Sequence, residues 1–459
     1  MKTAHDVSAH NVAVHTAAAQ HDADHDDSVY DGSAHEAALD AACLTEIARA
    51  HTTPTYIFNV PAFRARLAKT RDILSSADVN ASARISMCYS MKANPFLTSA
   101  AHSEHYKLEV CSPGELDICI AQHIPGARIV YSGVCKQPDD IRAALSYHVG
   151  VITAESPLQL EAINRVATTL HAAGELAYSR VPVLLRLNAK SQFGMAQSDL
   201  EALIAARDTF PLLEFVGIHY FVGTQRKKLA RQQKELAFLS DLIDTLYDNY
   251  GWRAQLLEYG PGLAYPYFVD DDMNDTYAPA RELAPLLQKL AQKVDICIEM
   301  GRFLASACGT YVSRIVDVKQ GADSDSYYAF IDGGINHVAY LGQMMGLKCP
   351  HIDVLPRDAS SAYDDSGVAN PASARQMRRW TLCGSLCTTA DVLVREFEAS
   401  LAMGDLVAFQ HIGAYSVTEA MYLFLSRTLP SVVLYYDSEH YVCVRKPIHT
   451  SSINCACMF

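Results

Sequence analysis

The feature that most constrains this chain is a rhythm. Between residues 84 and 301 eight short, mostly apolar runs recur, most of them separated by stretches of helical periodicity. The runs are RISMCYSM (84–91), KLEV (107–110), RIVYSG (128–133), VGVITA (149–154), VPVLLRLN (181–188), FVGIHYF (215–221), LLEYG (256–260) and DICIEMG (295–301). Helical segments such as SPGELDICIAQ (112–122) and QLEAINRVATTLHAA (159–173) lie between them. Strands that are apolar almost throughout must be covered on both faces, as parallel strands flanked by helices are. The pattern predicts an α/β fold with a TIM-like (β/α)8 barrel over 61–305. A doubly wound sheet would carry the same rhythm.

Outside this region the texture differs. EAALDAACLTEIARA (36–50) reads as an amphipathic helix, TPTYIFNV (53–60) as a strand, and PAFRARLAKTRDILSS (61–76) as a helix opened by Pro61. After residue 305, GTYVSRIVDVKQ (309–320), YYAFIDGG (327–334), RRWTLCGS (378–385), DLVAFQHIGAY (405–415) and SVVLYYDSEHYVCVRK (431–446) read as strands joined by turns. Residues 36–60 and 306–459 are therefore expected to form a mainly β C-terminal domain. Residues 1–35 hold six histidines among Asp and Ala, without helical or strand spacing, and are expected to be a disordered tail rather than a metal site. The polar stretch 355–377 reads as a mobile surface loop.

The bulk numbers exclude several partners. A chain of 459 residues exceeds one typical core, so two domains are expected. Its net charge is −13 and no block of Lys/Arg occurs, which argues against nucleic acid and anionic membrane. No apolar run is long enough to span a bilayer, and the N-terminus lacks a signal-peptide core. The thirteen cysteines are odd in number and irregularly spaced, with no C-x-x-C. Reduced thiols in the cytoplasm are the expectation. Cys455 and Cys457 offer only two ligands, so no metal site is expected.

In a barrel of this kind chemistry collects at the C-terminal strand ends. The first run ends in YSMKANP, with Lys92 where Asn94-Pro95 stop the ladder. Later runs are followed by SPGEL (112–116), FVGTQ (221–225), GPGLAYP (260–266) and EMGR (299–302), and the β region adds CGSLCTTAD (383–391) and GAY (413–415). Together and in this order, these motifs resemble the fold-type III pyridoxal-phosphate enzymes of the diaminopimelate/ornithine/arginine decarboxylase family, whose barrel is shared with alanine racemases. The resemblance covers nearly the whole chain from TPTYIFNV to about residue 446.

The resemblance implies pyridoxal 5'-phosphate as cofactor. That group needs an amine to hold its aldehyde as a Schiff base, donors for its phosphate, and an acid beside its ring nitrogen. Lys92 matches the amine. Gly223, Thr224, Gly260 and Gly262 match the phosphate-binding loops, with Pro261 removing one N–H from the usual run of glycines. Gly301, Arg302 and Tyr415 match the remaining cofactor contacts. Glu299 matches the carboxylate facing the ring nitrogen; it keeps that nitrogen protonated and favours loss of CO2 over racemisation, whereas the alanine racemases place an arginine there. Glu109 and Glu115 resemble acidic positions near the cofactor, and a surface role fits them equally well. Cys387 matches a cysteine supplied by the partner subunit to return a proton. The implied assembly is a two-fold homodimer with shared active sites.

Three departures stand out. Phe221 occupies the place of a ring-stacking histidine; it can stack but offers no imidazole hydrogen bond. His219, two residues earlier, shares its strand face. Thr388 follows Cys387, where relatives carry Glu or Asp to hold a distal substrate amine. The arginine and tyrosine that diaminopimelate decarboxylases use are not evident after DGGIN (332–336), leaving Asp332 as a candidate amine partner. The expected reaction is decarboxylation of an α-amino acid of the diaminopimelate/ornithine type, or of an amino acid held in a larger conjugate or on a carrier. The alternatives are a racemase or epimerase, and an inactive homologue acting as a regulator.

Overall fold

The computed structural model describes residues 38–75, 84–322, 326–341, 346–357 and 375–456. The tail expected at 1–35, most of the polar stretch 355–377, and Cys457 lie outside them.

A first strand, β1 (Thr55–Asn59), precedes the helix Val60–Ser75. The eight expected runs then form β2 (Ile85–Ser90), β3 (Lys107–Val110), β4 (Ile129–Tyr131), β5 (Val151–Ala154), β6 (Val181–Arg186), β7 (Leu213–Phe221), β8 (Leu256–Gly260) and β9 (Asp295–Met300). Each pairs in parallel with the next, and β9 pairs in parallel with β2, Cys88 opposite Glu299. That last pairing closes the barrel and removes the doubly wound alternative. Leu108, Ile129, Ile152, Leu185 and Ile218 are fully buried, as a layer between strands and covering helices requires.

Three successive strand-to-helix turns use one device. Ser112 caps the helix Pro113–Ala121 by accepting from the Glu115 amide (3.2 Å), and Glu115 accepts in return from the Cys111 amide (2.6 Å). Ser156 and Gln159 repeat this at the helix Pro157–Ala172, and Gln137 with Asp140 form a capping box at Pro138–Ser146. Proline at the first helical position suits a turn whose N–H has no partner.

The second sheet has nine strands: β1 together with β10 (Gly309–Gln320), β11 (Tyr327–Ile331), β12 (Ile352–Leu355), β13 (Arg378–Cys383), β14 (Val392–Ala399), β15 (Leu406–Phe409), β16 (Ser431–Tyr435) and β17 (Tyr441–Arg445). Its order is β14-β13-β11-β10-β1-β16-β17, with β15 pairing β10 and β12. β1 lies antiparallel to β10 and parallel to β16, so the N-terminal strand sits inside a sheet otherwise built from the C-terminal third. The run 431–446 is a hairpin rather than one strand. β12 and β14 had no counterpart among the expected strands. β12 is four residues long between Pro350 and Pro356, and β14 carries Arg395, Glu396 and Glu398.

The sheet reaches the barrel mouth through its GAY turn. The Tyr415 amide donates to Ala93 O (2.7 Å), Asn94 Nδ2 donates to Gly413 O (2.9 Å), and Thr418 Oγ1 donates to Lys92 O (3.3 Å).

Candidate active site

β2 ends at Ser90, and Met91–Ala93 turn in a single 3-10 step that carries the Lys92 side chain into the mouth. Its Nζ donates to both Glu109 oxygens, at 2.9 and 2.7 Å, and lies 3.6 Å from Glu299 Oε1. Glu109 also accepts from Ser132 Oγ (2.6 Å) and Cys111 Sγ (2.9 Å). Burial opposes both charges, but the two partners outweigh it. Glu109, then Cys111 and Glu299, hold the Lys92 ammonium well above the usual lysine range. Lys92 in turn holds Glu109 far below the usual carboxylate range. Glu109 therefore belongs to the site and not to the surface, whereas Glu115 serves as the helix cap described above.

Glu299 is buried and accepts from Ser90 Oγ (3.0 Å). His219 Nε2 lies 3.1 Å from its other oxygen, so the imidazole that does not stack at position 221 enters the site from behind the carboxylate.

The far end of the cavity is shaped for an anion. Gly223 has φ +148° and open space where a Cβ would sit; Gly262 has φ +60°, and a Cβ there would meet Gly223 O at 1.8 Å. The two loops are thus in backbone contact, reinforced by the Arg226 amide donating to Gly262 O (2.9 Å). A Cβ on Gly260 would strike the Phe221 ring at 2.4 Å. Arg302 donates from Nη1 to Tyr340 O (2.9 Å) and Tyr267 Oη (3.2 Å), and its guanidinium lies 4.4 Å from the Tyr415 ring centre. Its Nε is buried without a partner. A glycine cradle beside an unpaired buried cationic donor suits a phosphate. An amine at the other end and a carboxylate between them complete a fit to pyridoxal phosphate. Lys92, Phe221, Thr224, Gly262, Glu299, Gly301, Arg302 and Tyr415 line this one cavity.

Gly223 and Gly260 stand behind this lining, in contact with Gly262 and Phe221, and three further expected residues lie away from it. Cys387 is exposed on the loop between β13 and β14. Thr388 Oγ1 accepts from the Ala390 amide (3.3 Å), closing its own turn. Asp332 accepts from Thr53 Oγ1, Ser313 Oγ and the Arg314 amide. The Cys387 loop is anchored by Asp391, which accepts from the Ile335 (2.8 Å) and Leu386 (2.7 Å) amides. Sequence reasoning missed Asp391, whose partners lie across the loop and 56 residues upstream. It also missed the buried pair of Arg186 with Glu155, whose other oxygen accepts from the Gly194 amide (3.0 Å). Both residues stand at strand ends, the one signal that could have found them.

Comparison with known proteins agrees with this geometry. Residues 67–306 match the family model described as "Pyridoxal-dependent decarboxylase, pyridoxal binding domain". The chain is 25% identical to an L-glutamyl-[BtrI acyl-carrier protein] decarboxylase of Niallia circulans, over 89% of this chain and 94% of that protein. It is 26% identical to a diaminopimelate decarboxylase of Pseudomonas aeruginosa, covering 82% and 86%. In fold it resembles the diaminopimelate decarboxylase of M. jannaschii in complex with L-lysine, with TM-score 0.76 at 20% identity over 91% and 94% of the two chains.

Proposed function

Because the chain belongs to the pyridoxal-dependent decarboxylases and is an amino-acid decarboxylase dependent on pyridoxal phosphate, we propose that its substrate is an α-amino acid lacking a free distal ammonium, such as one joined to a larger group. When bound, the cofactor supplies an aldehyde for amines and a ring that takes up the electron pair left by departing CO2. The chain's own groups do the rest. In this reading Lys92 is the anchoring amine, and Glu109 keeps it protonated while it is free. Glu299, fixed by Ser90 and His219, presents a negative oxygen to the ring nitrogen. Gly223, Thr224, Gly260, Gly262 and Arg302 receive the phosphate, and Phe221 and Tyr415 wall the ring. Cys387 of the partner subunit returns a proton to carbon, which makes a two-fold homodimer part of the proposal. A reducing, cytoplasmic setting also belongs to it, in keeping with the lack of any disulfide between described cysteines. Among the described residues no helix is long and apolar enough to cross a membrane.

The observation that carries the substrate reading is the state of the two polar residues expected to face the distal end. Thr388 has no charge and its hydroxyl caps its own turn. The Asp332 carboxylate already accepts three hydrogen bonds, two from β10 and one from Thr53 just before β1. With neither residue offering a spare carboxylate, the two give little preference for a distal ammonium. The relative named for a carrier-bound glutamyl substrate points the same way. The test is CO2 release from ornithine, lysine and meso-diaminopimelate against glutamate, γ-glutamyl amides and γ-glutamyl thioesters. The conjugates should give the highest kcat/KM, and preferential turnover of a diamino acid would overturn the assignment.

A further inference from the structure

Below the Lys92 cavity the barrel interior holds a carboxyl group that the site described so far does not use. Glu258, on β8, has no exposed surface, and neither of its oxygens has a hydrogen-bond partner. Its carboxylate and the sulfurs of Cys88 and Cys297 lie within 4.8 Å of one another. Glu299 and Glu109 act on it as further negative neighbours, and Lys107 as the opposing cation. Burial first, then Cys297, Glu299 and Glu109, push its proton affinity well above the usual carboxylate range. A carboxyl in that state is a donor in need of an acceptor.

The complementary group stands on the next strand. His219 is the register partner of Glu258 across β7 and β8, and it is 2% exposed. Its Nε2 faces the Glu299 carboxylate, which can only accept, so Nε2 carries the hydrogen. Nδ1 accepts wherever it carries no hydrogen of its own, and it too is buried without a partner. Buried polar groups are nearly always paired. Here a donor and an acceptor, both orphaned, stand at register-paired positions on neighbouring strands without bonding each other in the structure.

We propose that Glu258 is a positioning residue carried as a carboxylic acid, whose O–H turns to donate to Nδ1 of His219 and so locks Nε2–H onto Glu299. Its catalytic consequence rests on the reading of Glu299 given above. The protonation and the tautomer do not.

The test separates the two. In infrared spectra of the cofactor-free full chain, a protonated-carboxyl band is expected in the wild type and absent from Glu258→Gln. In ¹⁵N-histidine NMR, His219, identified by its loss in His219→Gln, is expected as the neutral Nε2–H form with Nδ1 accepting a hydrogen bond. In the loaded enzyme Glu258→Met, which lacks a donor, should lower kcat about tenfold, and Glu258→Gln should recover most of that loss. The proposal is overturned if the band survives Glu258→Gln, if His219 carries its hydrogen on Nδ1, or if Glu258→Met is as active as wild type. Stoichiometric metal in the purified protein would also overturn it, because Cys88, Glu258 and Cys297 would then be ligands and Glu258 ionised. Should Glu258→Met fail to fold, the spectra of the wild type and Glu258→Gln still decide. A wild type with the expected spectra that releases no CO2 would sink the functional reading alone.

Discussion

At the scale of single residues, the Lys92–Glu109 pair sets the charge at the barrel mouth. Glu109 is held below the ordinary carboxylate value of 4.5, so as pH falls the unfolded chain takes up the proton first. Stability from this pair is fully present above pH 4.5 and is lost as pH falls further toward the folded-state value. In cofactor-free protein, melting curves from pH 6 to pH 3 should show a steeper acid loss in the wild type than in Glu109→Gln. At pH 6 the variant should be less stable by about 2 kcal/mol, below the range for a fully buried pair. The reduction follows from Lys92, whose side chain keeps 36% of its surface exposed, so solvent screens the attraction. Equal acid slopes would show that the pair contributes nothing. Lys92, Glu299, Arg302 and Tyr415 were legible in the sequence because each sits in a motif at a strand end. The role of Glu109 was not. Both faces of KLEV are buried in a closed barrel, so alternation cannot say which face meets the site. The pairing with Lys92 exists only once β2 and β3 lie side by side.

At the scale of elements, the barrel strands could be read because being covered on both faces imposes a composition that is rare elsewhere in the chain. β12 and β14 escaped because an edge strand of four residues, and one whose outer face carries charges, lack that imprint. The glycine loops were recognisable as motifs, but their mutual contact was not. Gly262 combines φ +60° with a site where a Cβ would lie 1.8 Å from Gly223 O. Gly262→Ala must therefore push the two loops apart, at a strain of about 1–3 kcal/mol. The expected result is a folded protein whose affinity for pyridoxal phosphate falls about tenfold or more, measured by titrating the cofactor-free protein. Gly174→Ala is the matched control. Its φ is +71° with nothing within 4 Å of the added carbon, so it should lose some stability and leave cofactor affinity unchanged. Similar affinity losses in both variants would mean that loop contact is not what the cradle needs.

At the scale of the whole molecule, one chain holds the amine and the phosphate cradle together but leaves Cys387 outside their cavity. The loop bearing Cys387 is not loose: Asp391 anchors it, and Arg427 donates to Ser385 O. Beside Arg427 the chain exposes Met421, Leu423, Phe424 and Leu425, an apolar stretch that a monomer would leave in water. In the proposed dimer this stretch is a candidate contact, and the second copy supplies its own Cys387 to the first copy's Lys92. If so, each active site draws on two chains, and two variants inactive for different reasons can repair one another. Lys92→Ala and Cys387→Ala are each expected to lose nearly all CO2 release. Mixed in equal amounts and allowed to exchange subunits, half the dimers become mixed, and each mixed dimer carries one site with both groups intact. About a quarter of wild-type activity should return. The recovery should follow the appearance of mixed dimers in native mass spectrometry. If mixed dimers form and no activity returns, Lys92 and Cys387 do not act across a two-fold interface, and the proton must come from within the chain.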